Sequence, residues 1–268
     1  MNALMAGPFG RIEQQFRVKR DAGRKLLVPF ITGGVCDDWV ELLRACADAG
    51  ADAVEVGIPF SDPVMDGPVI QEASVVALGR GTTPLTLVSE LRDNDVNVPL
   101  VAMTSFNIAF RMGEQRYAAV LADGGFSGTI LPDLQLDEAT EWMKCSAEHD
   151  LENILLAAPT TPDARMARIC AASRGWVYGI GTMGVTGERA ALAESALAIA
   201  RRLKAQTDCP VLVGIGVSNP EQAAEVASVS DGVIVGAALM RRVLAGEGPS
   251  GVHKFVAALR RGVDGAAR

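Results

Sequence analysis

Three carboxylates fall close together in the stretch Val54-Glu55-Val56-Gly57-Ile58-Pro59-Phe60-Ser61-Asp62-Pro63-Val64-Met65-Asp66-Gly67-Pro68. Glu55 interrupts the otherwise apolar run from Ala53 to Ile58. A carboxylate there is costly to bury unless it is paired or put to use. Asp62 and Asp66 follow in a turn stiffened by Pro59, Pro63 and Pro68, with Gly57 and Gly67 permitting angles other residues avoid. In an extended strand Glu55 shares a face with Ala53 and Gly57, opposite Val54 and Val56. With the valines toward covering helices, Glu55 points inward, where desolvation should raise its pKa and let it give and take a proton near neutral pH. A buried glutamate bonded to backbone or to a lysine is the alternative. Asp66, eleven positions on, can reach toward Glu55, whereas Asp62 in Ser-Asp-Pro reads equally as turn chemistry or as an interface residue. Two carboxylates with no histidine nearby suit an elimination or a retro-aldol cleavage.

These groups need a scaffold, and the chain supplies a regular alternation. Short β-branched apolar runs occur at Leu26–Ile31, Ala53–Ile58, Pro99–Met103, Ser127–Leu131, Asn153–Ala157, Trp176–Ile180, Pro210–Gly214 and Gly232–Val235. Helical periodicity fills the gaps at Trp39–Ala49, Ile70–Leu78 with Leu85–Leu91, Tyr117–Ala122, Asp137–His149, Pro162–Ser173, Ala191–Lys204, Pro220–Ala227 and Ala238–Leu244, and a last helix is expected near Val252–Val263. Ile12, Phe16 and Val18 give an amphipathic lead-in helix within Gly10–Lys25. Strands apolar on both faces, alternating with helices, predict an α/β fold, a (β/α)8 TIM barrel with an additional N-terminal helix. An open doubly wound sheet is the competitor, but Thr32-Gly33-Gly34-Val35 stands where its glycine-rich turn would be. No linker composition divides residues 1–268, so one domain is expected.

Such barrels place their chemistry at the C-terminal strand ends, with phosphate often held after the last two strands. There the sequence has Gly214-Ile215-Gly216-Val217-Ser218-Asn219-Pro220 and then Gly236-Ala237-Ala238, two glycine turns opening helices whose N–H groups could hold an anion. Tyr178, on the same strand face as Trp176 and Ile180, can point into the mouth, and Gly181–Glu188 reads as a lid.

The formal charge of −7 argues against nucleic acid or an anionic membrane as a partner. Five scattered cysteines without C-x-x-C spacing suggest reduced thiols, and His149 and His253, both in polar helical segments, offer little for a metal site. No signal-peptide pattern or membrane-length apolar run is present, so a cytoplasmic protein needing no cofactor or metal is expected.

E-V-G-I-P-F-S-D-P-V-M-D-G-P-V-I-Q, followed by M-G-V-T-G, G-I-G-V-S-N-P-E-Q and G-V-I-V-G-A-A-L, resembles the tryptophan synthase alpha subunit family from about Phe16 to about Val263. The resemblance implies a lyase cleaving indole-3-glycerol phosphate to indole and glyceraldehyde 3-phosphate, with indole passed to a PLP-dependent beta subunit in an alpha2-beta2 heterotetramer. It implies that Glu55 protonates C3 of the indole and draws the glycerol hydroxyl proton, while Asp66 stabilises charge at the indole N–H. Tyr178, Phe30 and Met103 would contact substrate, and Thr186 and Gly187 would belong to the closing loop. Backbone N–H groups of Gly187, Gly216, Gly236 and Ala237 would hold phosphate, and Asp62 would face the beta subunit. The chain departs from the family pattern at three places: no tyrosine in Thr104-Ser105-Phe106-Asn107, Gly236-Ala237 for Gly-Ser, and Thr32-Gly33-Gly34-Val35-Cys36-Asp37 for T-A-G-x-P-D. These departures keep open a stand-alone lyase releasing free indole, a non-catalytic activator of a beta subunit, and an enzyme acting on another phosphorylated substrate.

Overall fold

Seven of the eight apolar runs become single short parallel strands, and the run at Asn153–Ala157 becomes two, in the computed structural model, which describes residues 9–181, 189–214 and 216–266. The strands are β1 (Leu26–Thr32), β2 (Val54–Gly57), β3 (Leu100–Met103), β4 (Phe126–Ile130), β5 (Glu152–Asn153), β6 (Leu155–Ala157), β7 (Val177–Ile180), β8 (Val211–Gly214) and β9 (Gly232–Val235). Their hydrogen-bonded order is β5-β4-β3-β2-β1-β9-β8-β7-β6. β5 and β6 are pieces of one strand separated only by Ile154, so the sheet closes on itself as a barrel.

The sequence predicts that strand unbroken over Asn153–Ala157, and a hydroxyl 18 residues further along the chain accounts for the interruption. Ile154 donates its N–H to Thr129 of β4, whereas the Leu155 N–H is taken by the Ser173 hydroxyl at 3.1 Å. Pairing with β7 therefore begins only at Leu155.

The surrounding helices are α1 (Arg11–Asp21), α2 (Trp39–Asp48), α3 (Pro68–Gly79), α4 (Pro84–Arg92), α5 (Phe106–Met112), α6 (Glu114–Asp123), α7 (Thr140–Ala147), α8 (Asp163–Ala172), α9 (Arg189–Lys204), α10 (Pro220–Val229), α11 (Ala237–Leu244) and α12 (Pro249–Gly265). Among the described residues, no helix is long and apolar enough to cross a membrane. α5 is absent from the sequence reading, because its seven residues are too few to show an apolar period. Gly113, at φ 89°, separates it from α6. α7 is shorter than the Asp137–His149 expected, beginning only at Thr140.

Strand alternation divides the core in two. Leu26, Val28, Ala53, Val101, Ile130, Ile154, Trp176, Leu212 and Ile234 pack together inside the barrel. Leu27, Ile31, Val54 and Val56 instead join the layer beneath the helices. α1 closes the N-terminal end, inserting Ile12 and Phe16 into the inner cluster with Phe16 stacked on Trp176 at 5.5 Å between ring centroids. Val18, grouped by the sequence pattern with this apolar face, is instead 67% exposed. The Glu152 carboxylate fastens the start of α1, accepting from the Ile12 N–H at 2.6 Å and the Glu13 N–H at 3.0 Å.

Candidate active site

At the opposite end the barrel holds an acid in an apolar setting. β2 pairs with β1 and β3 so that Glu55 lies level with Phe30 and Val101. Val54 and Val56 turn outward while Glu55 faces inward, 1% exposed, and its Oε1 has no hydrogen-bond partner among the described residues. Burial disfavours the carboxylate and pushes its pKa up to about 8. Glu55 is therefore mostly a neutral acid at pH 7.

At the same strand ends β1, β2, β3 and the 58–67 loop form a small pocket of about 40 Å³ lined by Phe30, Gly57, Ile58, Met103 and Asp66, among others, while Glu55 is not one of its lining residues. Phe30 can lie across β2 because position 57 is glycine: a Cβ there would come within 2.4 Å of its ring. Asp62 and Asp66 both border the pocket. Asp62 is exposed and accepts from the Ser61 hydroxyl at 2.6 Å, whereas Asp66 is half-buried. Burial, followed by the charge of Asp133, lifts the Asp66 pKa to about 6. Near pH 7 the site thus pairs a protonated Glu55 with an ionised Asp66. The 58–67 loop is fixed at both edges: Ile58 donates its N–H to Met103 and accepts from the Thr104 hydroxyl, and Gln71 of α3 reaches back to the Asp66 carbonyl at 2.9 Å.

Tyr178 approaches from β7, with its hydroxyl 2.3 Å from where a Cβ on Gly214 would stand. Burial, then the charges of Glu55 and Asp66, hold its phenol well above the ordinary range, so it serves as a neutral hydrogen-bonding group. The two glycine turns nearby differ. At α10, Asn219 accepts from the Gln222 N–H and Gln222 accepts from the Ser218 N–H, both at 2.9 Å, so side chains at that helix end take two of its N–H groups. At α11, Gly236 supplies no side-chain cap and Ala237 opens the helix, leaving its first N–H groups to an outside acceptor. Gly236 adjoins Phe30, whose Cβ is 3.6 Å from the glycine's virtual Cβ, and Gly216 is at φ 41°. Of the two helix ends expected to face an anion, α11 is therefore the one without a side-chain cap. Thr186, Gly187 and the rest of the expected lid at Met183–Glu188 lie outside the described residues.

Sequence reasoning singled out Thr104 and Ser105 only for a missing tyrosine, and it missed Asp133, which stands on the same wall. Thr104, Ser105 and Asp133 border the same pocket, and Asp133 ties the β3–α5 turn by accepting from the Ser105 hydroxyl at 2.5 Å and the Phe106 N–H at 2.7 Å. Asp133 follows β4 at the C-terminal rim, and that position was the signal available, since polar side chains there serve barrel chemistry.

Comparison with known proteins gives one family. Residues 16–264 match the family model for the tryptophan synthase alpha chain. The alpha chain of Streptomyces coelicolor is 41% identical over 271 residues, an alignment covering 98% of this chain and all of that one. The alpha chain of Thermobifida fusca is 42% identical over 258 residues, covering 92% and 95% of the two chains. Among solved structures, tryptophan synthase of Mycobacterium tuberculosis superposes with a TM-score of 0.86 at 38% identity, covering 95% of this chain and 98% of that one. The alpha subunit of Legionella pneumophila superposes at 0.84 and 32% identity, covering 96% and 99%.

Proposed function

Because this chain belongs to the tryptophan synthase alpha chain family, and is accordingly a lyase of tryptophan biosynthesis, we propose that Glu55 and Asp66 cleave indole-3-glycerol phosphate to indole and glyceraldehyde 3-phosphate. The observation that carries this reading is the buried Glu55, whose Oε1 has no hydrogen-bond partner among the described residues, with the half-buried Asp66 on the loop after β2 and the charges of both acting on Tyr178. In this mechanism the Glu55 carboxyl donates its proton to C3 of the indole ring, which becomes an indoleninium ion. The Asp66 carboxylate accepts a hydrogen bond from the ring N–H and stabilises the positive charge. The Glu55 carboxylate then takes the proton of the glycerol hydroxyl next to the ring. The C–C bond breaks, its electron pair returns to the ring as indole, and the hydroxyl carbon becomes the aldehyde of glyceraldehyde 3-phosphate. Glu55 ends protonated, ready for another cycle.

Phe30 and Met103 flank the ring, and Tyr178 is a neutral hydrogen-bonding contact. The N–H groups of Gly216, Gly236 and Ala237 hold the phosphate, with Gly187 adding another and Thr186 closing over the substrate. Asp62 faces a PLP-dependent beta subunit in an alpha2-beta2 assembly, and the enzyme works as one barrel domain in the cytoplasm.

Indole release from indole-3-glycerol phosphate, measured with and without a beta subunit, tests the reading. Wild-type protein should release indole, and addition of the beta subunit should raise the rate. Full activity in Glu55→Gln would refute the mechanism. Indole formation that a beta subunit leaves unchanged would favour a stand-alone lyase.

A further inference from the structure

The wall formed by Asp133 and Ser105 has no part in the mechanism above, yet it is built into the same pocket. Asp133 comes from the loop after β4, spans to the β3–α5 turn through the Ser105 hydroxyl and the Phe106 N–H, and borders the pocket beside Asp66. No lysine, arginine or histidine is among the described residues lining that pocket. Asp62 on its own loop and Asp133 after β4 border the pocket with Asp66, and Tyr178 on β7 feels the charges of both Asp66 and Glu55. Two carboxylates on one wall without a cation create a negative potential where positive charge would develop on a ring.

We propose that Asp133 is a positioning residue for the lyase reaction, acting through Asp66: its carboxylate strengthens the negative field that favours the ring cation while it holds the β3–α5 turn against the pocket. This rests on the assignment of Asp66 to the ring N–H. The same charge makes Asp66 harder to ionise, in keeping with the rise of its pKa to about 6. Removing it should therefore lower the rate at neutral pH but extend activity to lower pH.

The test is the pH profile of indole formation in Asp133→Asn, Ser105→Ala and Asp133→Glu. Asp133→Asn should reduce kcat at pH 7.5 by about three- to tenfold with little change in KM. It should also move the acid limb down by about half a pH unit, an effect that weakens at high salt. Ser105→Ala removes the hydroxyl bond and keeps the charge, so its acid limb should coincide with that of wild type, and Asp133→Glu should restore most of kcat. If Asp133→Asn leaves the limb in place and merely matches the kcat loss of Ser105→Ala, Asp133 only holds the turn and the proposal falls. The acid limb of Asp66→Asn is read separately. Retention of the wild-type limb there would overturn the role of Asp66 itself, whatever Asp133 does.

Discussion

Asp52 and Glu55 lie three positions apart in sequence, both buried, and the barrel uses them in opposite ways. Asp52, at the N-terminal end, is surrounded by donors. It accepts from the Leu27 N–H at 2.9 Å, from Arg24 and Lys19 at 3.0 Å, and from Arg260 of α12 at 3.1 Å. Glu55, at the C-terminal end, has an Oε1 without a partner among the described residues and is held neutral by burial. The first carboxylate joins α1, β1 and α12 through its charge. The second is left without compensating charge, a cost to stability that keeps its proton transferable. Glu152 lies between these extremes: two N–H groups of α1 favour its charge, yet burial still lifts its pKa to about 7.

This contrast can be broken first at Glu55. Glu55→Gln should lower kcat for indole formation by about 10²–10⁴-fold, the range for losing a general acid–base, with the far-ultraviolet circular dichroism spectrum unchanged. Asp52→Asn should do the reverse, costing about 3 kcal/mol in denaturant unfolding because it removes the buried charge that Arg24, Lys19 and Arg260 share and leaves Arg260 to the exposed Asp264, while KM stays at the wild-type value.

The third prediction concerns pH. The Asp66 carboxylate must be ionised and Glu55 protonated, so kcat/KM should rise through about pH 6 and fall through about pH 8. Stability should also respond. The folded pKa of Glu55, about 8, lies above its ordinary 4.5, so its contribution is complete below about pH 4.5 and is lost as pH rises through 8. Thermal unfolding of Glu55→Gln should consequently weaken less than that of wild type between pH 5 and pH 8. The smallest effect is expected at Glu152→Gln, which exchanges one accepting oxygen at the start of α1 for a donor. That change should cost about 1 kcal/mol in unfolding and leave kcat unaltered.

Much of the barrel was legible because its signals are local. Continuous apolar runs mark strands buried on both faces, and period two alone turns Val54 and Val56 away from Glu55. The break at Ile154 was not legible, since it depends on a Ser173 hydroxyl from a different element. The cap of α10 was legible in Ser218-Asn219-Pro220-Glu221, but that Gln222 would turn back to the Ser218 N–H was not. Asp133 escaped notice for a similar reason: it is 67 positions from Asp66 in the chain, and only the pairing of β2 and β4 on either side of β3 sets both on one pocket.

The sequence by itself determined the alternation of strand and helix, the inward face of β2 and the family motif around Glu55, because each follows from the order and periodicity of neighbouring residues. Tertiary structure decided which carboxylate would be neutralised and which left unpaired. That depends on whether distant donors such as Arg260 arrive beside it, and at Asp52 they do while at the Oε1 of Glu55 no described residue does.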